Sequence, residues 1–322
     1  MKRTQTLLKT LCVFIFLLLA ACTGRNKPED KLHRIVTGSP AELKELFSYS
    51  PDGIPFVCAH RGGDRKGFPE NCIATFNNTL SQTWSLIETD PRYTKDSVMV
   101  LMHDPTLERT TNGTGKVSDH TWAELQELRL KDNEGNLTGY QIPTLDEALE
   151  WARGKTILVL DRKDVPIGER SRKIQEHRAQ SYAIVIAYSP EEIKQCFSLD
   201  PDINMEIMLA DTAAVRSFEE TGVPWKNVVG FVSHKLVEDT AIFDLIHNNG
   251  ALAIVGSSRN HDISFKNGEI KSTEELFPRY VKMITDGADI IEADLAVEAG
   301  ISLREMQITL KMGPKGKFFT GL

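Results

Sequence analysis

The sequence predicts an α/β fold, a (β/α)₈ barrel with a small insertion after the second strand, and three observations lead to it. The first is a series of eight short apolar runs at residues 54–59, 86–90, 156–161, 182–187, 203–209, 227–232, 251–256 and 288–293. The second is the series of helical patterns between most of them, at 72–84, 144–152, 190–197, 211–220, 236–248 and 274–286. Strands that alternate with helices form parallel βα units, and eight units imply a closed barrel. The third is that several runs end in titratable residues, where barrels of this type carry their active sites.

The second strand ends in two carboxylates, Glu88 and Asp90, which follow the apolar residues Leu86 and Ile87. Residues at i and i+2 of a strand point to the same face, so the two carboxylates lie side by side. Such a pair repels unless a cation lies between them, and oxygen ligands suit Mg²⁺ or Ca²⁺. Taken alone, the pair is equally compatible with two solvated acids on an edge strand.

The run at residues 98–102 follows Asp90 too closely for a parallel crossover, which needs roughly a dozen or more residues. Lys95-Asp96-Ser97 has turn-forming chemistry, so we expect the run to fold back as an antiparallel hairpin. The fold-back returns His103 to the neighbourhood of Glu88 and Asp90. The spacing therefore predicts a histidine beside the carboxylate pair.

A third cluster follows the apolar run at 156–160, where Asp161 and Lys163 share a face. A carboxylate and a lysine at a strand end can complete a metal site and hold a phosphate oxygen. The alternative for this cluster alone is a surface salt bridge in a loop.

Together these motifs resemble the glycerophosphodiester phosphodiesterases, within the broader phosphatidylinositol phospholipase C-like barrels. The resemblance spans about residues 54 to 299 and is carried by Ala59-His60-Arg61-Gly62, Pro69-Glu70-Asn71 with Ala74 and Phe76, Ile87-Glu88-Thr89-Asp90, Thr94-Lys95-Asp96, His103-Asp104, Leu107-Glu108-Arg109-Thr110-Thr111, Ile142-Pro143-Thr144-Leu145 with Glu147, Leu160-Asp161-Arg162-Lys163, and Gly287-Ala288-Asp289-Ile290-Ile291 with Asp294. Each motif alone is weak, but the ordered set is specific.

The resemblance implies a metal-dependent hydrolysis of glycerophosphodiesters to glycerol 3-phosphate and an alcohol. His60 and His103 would be the acid/base pair, in an order that the sequence leaves open. Glu88, Asp90 and Asp161 would bind one divalent cation, Ca²⁺ or Mg²⁺, and Arg61 and Lys163 would contact phosphate oxygens. The nucleophile is either water or the substrate's own 2-hydroxyl, which would give a cyclic intermediate.

Three departures from the family pattern bear on specificity. Asp161 stands where the family usually has a glutamate, and Ser85-Leu86 replaces a common Gly-Ala-Asp before Glu88. The usual Trp-Thr-Val-Asn near the seventh strand is absent, and residues 255–260 read Val-Gly-Ser-Ser-Arg-Asn. Two other functions therefore stay open. One is a phosphodiesterase directed at phospholipid or glycerophosphoinositol, and the other is a non-catalytic barrel that binds phosphorylated ligands.

Other titratable residues receive weaker assignments. Glu206 interrupts an apolar run and is a minor candidate for the barrel mouth, since acids at strand ends of this fold are often functional. Glu292 and Asp294 form another same-face pair, and we expect Asp294 to serve structure. Five other histidines are expected to be ordinary surface residues: His120, His177, His234, His247 and His261.

The N-terminus reads as an export signal, with three basic residues followed by an apolar run from Leu11 to Ala21. That run is too short for a membrane-spanning helix, which needs about 20 residues. Leu19-Ala20-Ala21-Cys22 resembles a bacterial lipobox, which predicts cleavage before Cys22 and lipidation of its thiol; an ordinary signal peptide is the alternative. We expect residues 1–21 to be the signal, 22–50 the lipidated N-terminus and tether, and 51–322 the barrel, with its insertion at about 104–142.

Composition limits the partners of the chain. It has 322 residues, 41% of them hydrophobic, enough for one large domain. Removing residues 1–21, which carry three positive charges and no negative ones, changes the net charge from −7 to −10 and argues against nucleic acid. We expect a small-molecule diester and a membrane, through the lipid anchor, as partners, and no protein partner. Three cysteines remain, Cys58, Cys72 and Cys196; Cys58 and Cys72 can pair in an exported protein, but the sequence does not predict that they do.

Overall fold

The computed structural model describes residues 32–321, which contain twelve strands and twelve α-helices. The strands are β1 (Arg34–Ile35), β2 (Phe56–Ala59), β3 (Ser85–Thr89), β4 (Pro91–Tyr93), β5 (Met99–Leu101), β6 (Leu158–Leu160), β7 (Ala183–Ala187), β8 (Met205–Met208), β9 (Val228–Ser233), β10 (Ala253–Gly256), β11 (Ile290–Ala293) and β12 (Phe319–Thr320). The helices are α1 (Pro40–Leu46), α2 (Ile73–Leu80), α3 (Trp122–Leu125), α4 (Leu145–Ala152), α5 (Ile167–Glu176), α6 (Pro190–Leu199), α7 (Thr212–Glu219), α8 (Ala241–Asn248), α9 (His261–Lys266), α10 (Thr273–Thr285), α11 (Ala296–Ser302) and α12 (Arg304–Leu310).

Eight of the strands close into a parallel barrel in the order β10-β11-β2-β3-β6-β7-β8-β9. Each barrel strand overlaps one of the eight predicted runs, so the predicted (β/α)₈ barrel is confirmed. Closure joins the last barrel strand, β11, to the first, β2, with Ala293 opposite Ala59 in the register. The residues that follow these two strands are therefore neighbours, although the sequence separates them widely.

Strand alternation divides the apolar residues between two layers. One set fills the barrel interior, including Leu86, Val159 and Ile290, and the other packs under the helices. Two residues beyond each of those three interior positions stand Glu88, Asp161 and Glu292, which therefore face inward at the C-terminal end of the barrel. The apolar core of the barrel is therefore followed by acidic side chains at the C-terminal end of the strands.

The short segment after β3 forms the predicted hairpin. Strands β4 and β5 pair antiparallel, with Arg92 opposite Val100. The backbone N–H of Met102 then donates to the carbonyl of Asp90 (2.8 Å), so the chain returns beside the end of β3. The insertion that follows carries α3 and has its own small apolar cluster around Leu107, Val117 and Leu125.

Residues 32–50, which were expected in the tether, are instead part of the barrel unit. Strand β1 pairs antiparallel with β12, and helix α1 buries Leu43 and Leu46 in the cluster that fills the barrel interior. Ser39 caps α1 by accepting from the backbone N–H of Glu42 (3.3 Å). The sequence-based boundary at residue 50 is wrong here because the pairing of β1 with the C-terminus is a long-range contact that local composition does not reveal.

The export signal, the lipobox and Cys22 lie outside the described residues. Within residues 32–321 no helix has the length and apolar character needed to cross a bilayer. The three cysteines of this part, Cys58, Cys72 and Cys196, are free and buried.

Candidate active site

A tight turn after β2 presents His60 and Arg61 at the barrel mouth. Arg61, Gly62 and Gly63 all have positive φ, at 52°, 87° and 80°. A Cβ on Gly62 would lie 2.4 Å from Cδ1 of Phe76, so both the backbone conformation and the space require glycine there. The turn also directs the backbone N–H of Arg61 to Oε2 of Glu88 (2.8 Å). The His-Arg-Gly-Gly sequence therefore fits a tight turn whose backbone forms a hydrogen bond with Glu88.

His60 is held by Asp294 from the opposite end of the sequence. Its Nδ1 lies 2.7 Å from Oδ1 of Asp294, whose other oxygen accepts from Lys266 Nζ (2.6 Å). Burial alone would lower the pKa of His60, but the hydrogen bond to Asp294 and the charge of Glu292 outweigh it, and the pKa is raised above 6.5. The pKa of Asp294 is lowered against the effect of burial, chiefly by His60 and then by Lys266. His60 therefore holds its proton more tightly than a free imidazole does.

His103 has a similar partner but the opposite pKa shift. Its Nδ1 lies 2.7 Å from Oδ1 of Asp104, and Arg109 binds the same carboxylate through Nε (2.6 Å) and also binds Glu70 (2.7 Å). Burial lowers the pKa of His103 below 6.5 and outweighs the attraction of Asp90 and Asp104. His103 therefore favours its neutral form at neutral pH.

Glu88, Asp90 and Asp161 come together as the sequence predicted, with one ligand oxygen from each within 4.8 Å of the others. Asn71 fixes Asp90 by donating from Nδ2 to Oδ2 (2.6 Å) and by accepting from the Asp90 backbone N–H (3.0 Å). Burial and then the charges of Asp90 and Asp161 raise the pKa of Glu88 well above 4.5. Such a shift marks a concentration of negative charge that a cation would relieve. Three converging carboxylates and no sulfur fit a hard divalent cation.

Lys163 lies between two of these carboxylates. Its Nζ is 2.9 Å from Oδ1 of Asp90 and 2.5 Å from Oδ2 of Asp161. Burial would lower the pKa of Lys163, but these two acids raise it, so the ammonium stays charged. Burial would raise the pKa of Asp90, but Lys163, then His103 and Arg61, lower it. Asp161 also accepts from the Tyr188 hydroxyl and from the Arg162 backbone N–H (2.6 Å).

Most of these groups border two cavities that share His60, Arg61 and Asp294. One, of about 610 Å³, occupies the barrel mouth and is also lined by Glu88, His103, Asp161 and Lys163. The other, of about 890 Å³, extends under the insertion. Two histidines with opposite pKa shifts and two cationic side chains at one cavity can bind an anion and move a proton to and from it. Of the predicted site residues that lie within 32–321, only Asp90 is absent from the lining of both cavities.

Sequence reasoning missed several residues of this site. His234 was assigned to the surface, but it is half-buried and lines the barrel mouth with Glu206 and Glu292. Asp294 was assigned to structure, yet it binds His60 directly. Glu70 links Arg61 (3.3 Å) to Arg109 (2.7 Å), a role that spacing does not reveal. The available signal was the inward register of Glu206 and Glu292, two residues on from interior positions.

The fold and the site define a class, the (β/α)₈ barrels that gather histidines, cationic side chains and carboxylates at the C-terminal face. Residues 60–208 match the model of the glycerophosphoryl diester phosphodiesterase family. A solved glycerophosphoryl diester phosphodiesterase from Parabacteroides distasonis is 39% identical, with a TM-score of 0.85 over 90% of this chain and 100% of that chain. The chain belongs to the glycerophosphoryl diester phosphodiesterase family.

Two more distant proteins are also similar to the chain. The chain is 30% identical to human glycerophosphodiester phosphodiesterase 1 over 211 residues, which cover 59% of this chain and 62% of that protein. The chain thus spans about three fifths of the length of this curated relative. An Oleispira antarctica phosphodiesterase, solved in complex with the product sn-glycerol-3-phosphate, is 21% identical over 78% of this chain and 97% of that one, with a TM-score of 0.57. At that identity the likeness shows the fold alone.

Proposed function

We propose that this protein hydrolyses glycerophosphodiesters to glycerol 3-phosphate and an alcohol, with a divalent cation and two histidines. The observation that carries the proposal is that His60 and His103, with opposite pKa shifts, line one cavity together with Arg61 and Lys163. Binding a phosphate ester needs only the cations. A charged and a neutral histidine beside the same anion site are what general acid and general base catalysis requires.

The hydrogen bonds of the His60 and His103 rings are the basis for assigning a different catalytic role to each histidine. Each Nδ1–H donates to a carboxylate, Asp294 for His60 and Asp104 for His103, so Nε2 is the atom left for the reaction. On neutral His103, Nε2 is an acceptor that takes a proton from the nucleophile. On charged His60, Nε2–H is a donor that protonates the leaving alkoxide. We therefore assign His103 as the base and His60 as the acid.

Glu88, Asp90 and Asp161 would hold the cation, and their oxygen-only donor set favours Ca²⁺ or Mg²⁺ over zinc. When bound, the ion supplies Lewis-acid polarisation of the phosphate and neutralises developing negative charge. Arg61 and Lys163 orient the phosphate by contacting its oxygens, and both retain their charge because their pKa values are raised. Local charge of this kind is needed because the chain as a whole is acidic.

The first test is release of glycerol 3-phosphate from glycerophosphocholine by the purified protein, with Ca²⁺, with Mg²⁺ or with EDTA. We expect metal-dependent release that falls by a factor of about 10² to 10⁴ in both His60→Ala and His103→Ala. His177→Ala is the matched control, since that ring binds Asp146 away from the cavity (2.8 Å). Phosphorus NMR during turnover distinguishes direct attack by water from attack by the 2-hydroxyl, because only the latter produces a cyclic phosphate.

Two results would contradict the proposal. If only phospholipid vesicles or glycerophosphoinositol are cleaved, the protein is instead a phosphodiesterase directed at phospholipid or glycerophosphoinositol. If the folded protein binds glycerol 3-phosphate tightly but cleaves no diester with either metal, it is a non-catalytic barrel that binds phosphorylated ligands.

We also propose that the protein is exported and anchored to a membrane through Cys22. The proposal rests on the lipobox-like Leu19-Ala20-Ala21-Cys22 after a short apolar run. Mass spectrometry of the N-terminal peptide from membranes should find a lipid on Cys22, and Cys22→Ala should leave the protein outside the membrane fraction. An intact N-terminus from Met1 would contradict the proposal.

A further inference from the structure

Two buried acids at the barrel mouth are not among the residues assigned a role in the proposed mechanism, although the charge of Glu292 helps to raise the pKa of His60. Glu206 on β8 and Glu292 on β11 are 2% and 3% exposed and line the mouth cavity. The carboxyl of Glu206 makes no hydrogen bond or ion pair with any other residue in the range 32–321, and its Oε2 is fully buried. Nδ1 of His234 lies 3.9 Å from Oε1 of Glu292. A buried carboxylate is unfavourable unless a partner compensates its charge, and Glu206 has no such partner within residues 32–321.

Aromatic and thioether groups form the rest of this part of the cavity. The rings of Phe231 and His234 lie with their centroids 4.5 Å apart, and Tyr188 and Met208 complete the lining. Gly256 makes room for them, because a Cβ there would lie 2.7 Å from Nδ1 of His234 and 3.1 Å from Cζ of Phe231. Gly256 belongs to the segment that replaces the family's tryptophan motif, so Phe231 and His234 provide an aromatic wall from a neighbouring strand and loop.

The permanent cations that line the cavity are engaged elsewhere or lie at its edge. Lys163 is bound by Asp90 and Asp161, and Arg61 by Glu70. Arg162 stacks on the Tyr188 ring (4.7 Å from guanidinium carbon to centroid) and pairs with Glu192 (3.1 Å). Arg259 is exposed, where water screens its charge. Burial lowers the pKa of His234 to about 4, so this neutral ring does not compensate the Glu292 charge, and the opposing charge is that of His60.

We infer that Glu206 and Glu292, with the walls of Phe231 and His234, form a subsite for an ammonium or quaternary ammonium group carried by the alcohol part of the diester. The inference rests on the proposed function and names the class of substrate that the site would select. Buried carboxylates beside aromatic faces attract an organic cation through both charge and cation–π contact. A second metal ion fits less well, because only Glu88, Asp90 and Asp161 bring three ligand atoms within 4.8 Å in the described part of the chain.

A polyol headgroup is the competing occupant. Burial, and then the charges of Glu292 and Asp161, raise the pKa of Glu206 well above 4.5. Burial raises the pKa of Glu292 to about 7 against the opposing charge of His60. Protonated carboxyls can donate hydrogen bonds to hydroxyl groups. Glutamine would preserve such hydrogen bonds but would remove the negative charge, so Glu→Gln variants separate the two occupants.

The test compares three diesters of glycerol 3-phosphate: that of choline, that of its neutral isostere 3,3-dimethylbutanol, and that of glycerol. We expect the wild type to favour the choline diester over the isostere in kcat/KM, and Glu206→Gln and Glu292→Gln each to reduce that preference about tenfold. Turnover of the neutral diester should change by less than about threefold in Glu206→Gln, whereas Glu292→Gln also removes a charge that raises the pKa of His60 and is therefore judged on the ratio of the two substrates alone. Glu238→Gln, at an exposed position outside the mouth, is the matched control.

Several outcomes would overturn the inference while leaving the proposed function intact. They are equal kcat/KM for the choline diester and its isostere in the wild type, a preference for the glycerol diester that survives both substitutions, or equal losses on all three substrates. If no diester is cleaved, the proposed function fails, and calorimetric titration of the choline diester and its isostere into the wild type and Glu206→Gln decides the subsite separately. Equal affinity for both compounds would reject it, and circular dichroism identifies any variant that has not folded.

Discussion

Nδ1 of His60 lies 2.7 Å from Oδ1 of Asp294, and closure of the barrel creates this contact. His60 follows β2 and Asp294 follows β11, the first and last strands of the barrel, whose register sets Ala59 opposite Ala293. Asp294 is itself fixed by its backbone N–H, which donates to Oδ2 of Asp262 (2.8 Å), and by Lys266. The orientation and the charge of His60 therefore depend on the fold having closed.

Replacing Asp294 with asparagine should lower the pKa of His60 while keeping a group that can accept a hydrogen bond. His60 acts in its charged form, so activity falls as the pH rises through its pKa, above 6.5 in the wild type. His103 acts in its neutral form, so activity also falls as the pH drops through its pKa, below 6.5. In Asp294→Asn we expect the alkaline limb of the pH–rate profile to move to lower pH, with kcat reduced roughly 10- to 100-fold.

Lys266→Met is the control for this prediction, because it removes the other partner of Asp294 without touching His60. It should leave the alkaline limb at or above its wild-type position. An unchanged profile in Asp294→Asn, with kcat reduced, would mean that Asp294 acts on structure alone.

The acid and base assignments predict different responses to the leaving group. A p-nitrophenyl diester releases a phenolate that needs no proton, so it bypasses the general acid. His60→Ala should regain most of its lost activity on that substrate, whereas His103→Ala should stay reduced about 10²-fold or more. Steady-state rates on the choline and p-nitrophenyl diesters measure both effects. Recovery in His103→Ala and none in His60→Ala would reverse the assignment.

The sequence predicted what depends on periodicity and short spacing. Alternation along a strand placed Glu88 beside Asp90, and a connection too short for a crossover returned His103 to them. The contacts that tune these residues join distant segments, such as Arg109 with Glu70 and His60 with Asp294. His234 was misassigned because its position in the chain suggests a loop, whereas the absence of a side chain at Gly256 gives it room in the cavity. Residues 32–50 were misassigned to the tether for a similar reason, because β1 pairs with the distant strand β12 near the C-terminus.

Loss of one ligand carboxylate should weaken metal binding. In Asp161→Asn we expect metal affinity, measured by calorimetric titration of Ca²⁺ and of Mg²⁺, to fall about 10-fold or more, with a matching rise in the metal concentration needed for half-maximal activity. Asp164→Asn is the control, because Asp164 is exposed and pairs with Arg92 (2.9 Å) outside the triad. Unaltered metal affinity in Asp161→Asn would show that Asp161 binds Lys163 and Tyr188 but is not a metal ligand.

The uncompensated carboxyl of Glu206 should lower the stability of the ligand-free protein in a pH-dependent way. Its folded-state pKa is raised above the ordinary 4.5, so the folded protein holds this proton more tightly than the unfolded chain does. The contribution of this group to the free energy of unfolding is fully present below pH 4.5 and is lost as the pH rises through the folded-state pKa.

Glu206→Leu removes the titration and buries an apolar side chain among Ile186 and Phe231, which also line the cavity. We expect it to raise the free energy of unfolding by roughly 1–3 kcal/mol at pH 8 and by less at pH 5, measured by urea denaturation at both values. A variant less stable than the wild type at pH 8 would mean that Glu206 has a partner in the folded protein, and the cation subsite would lose its main support.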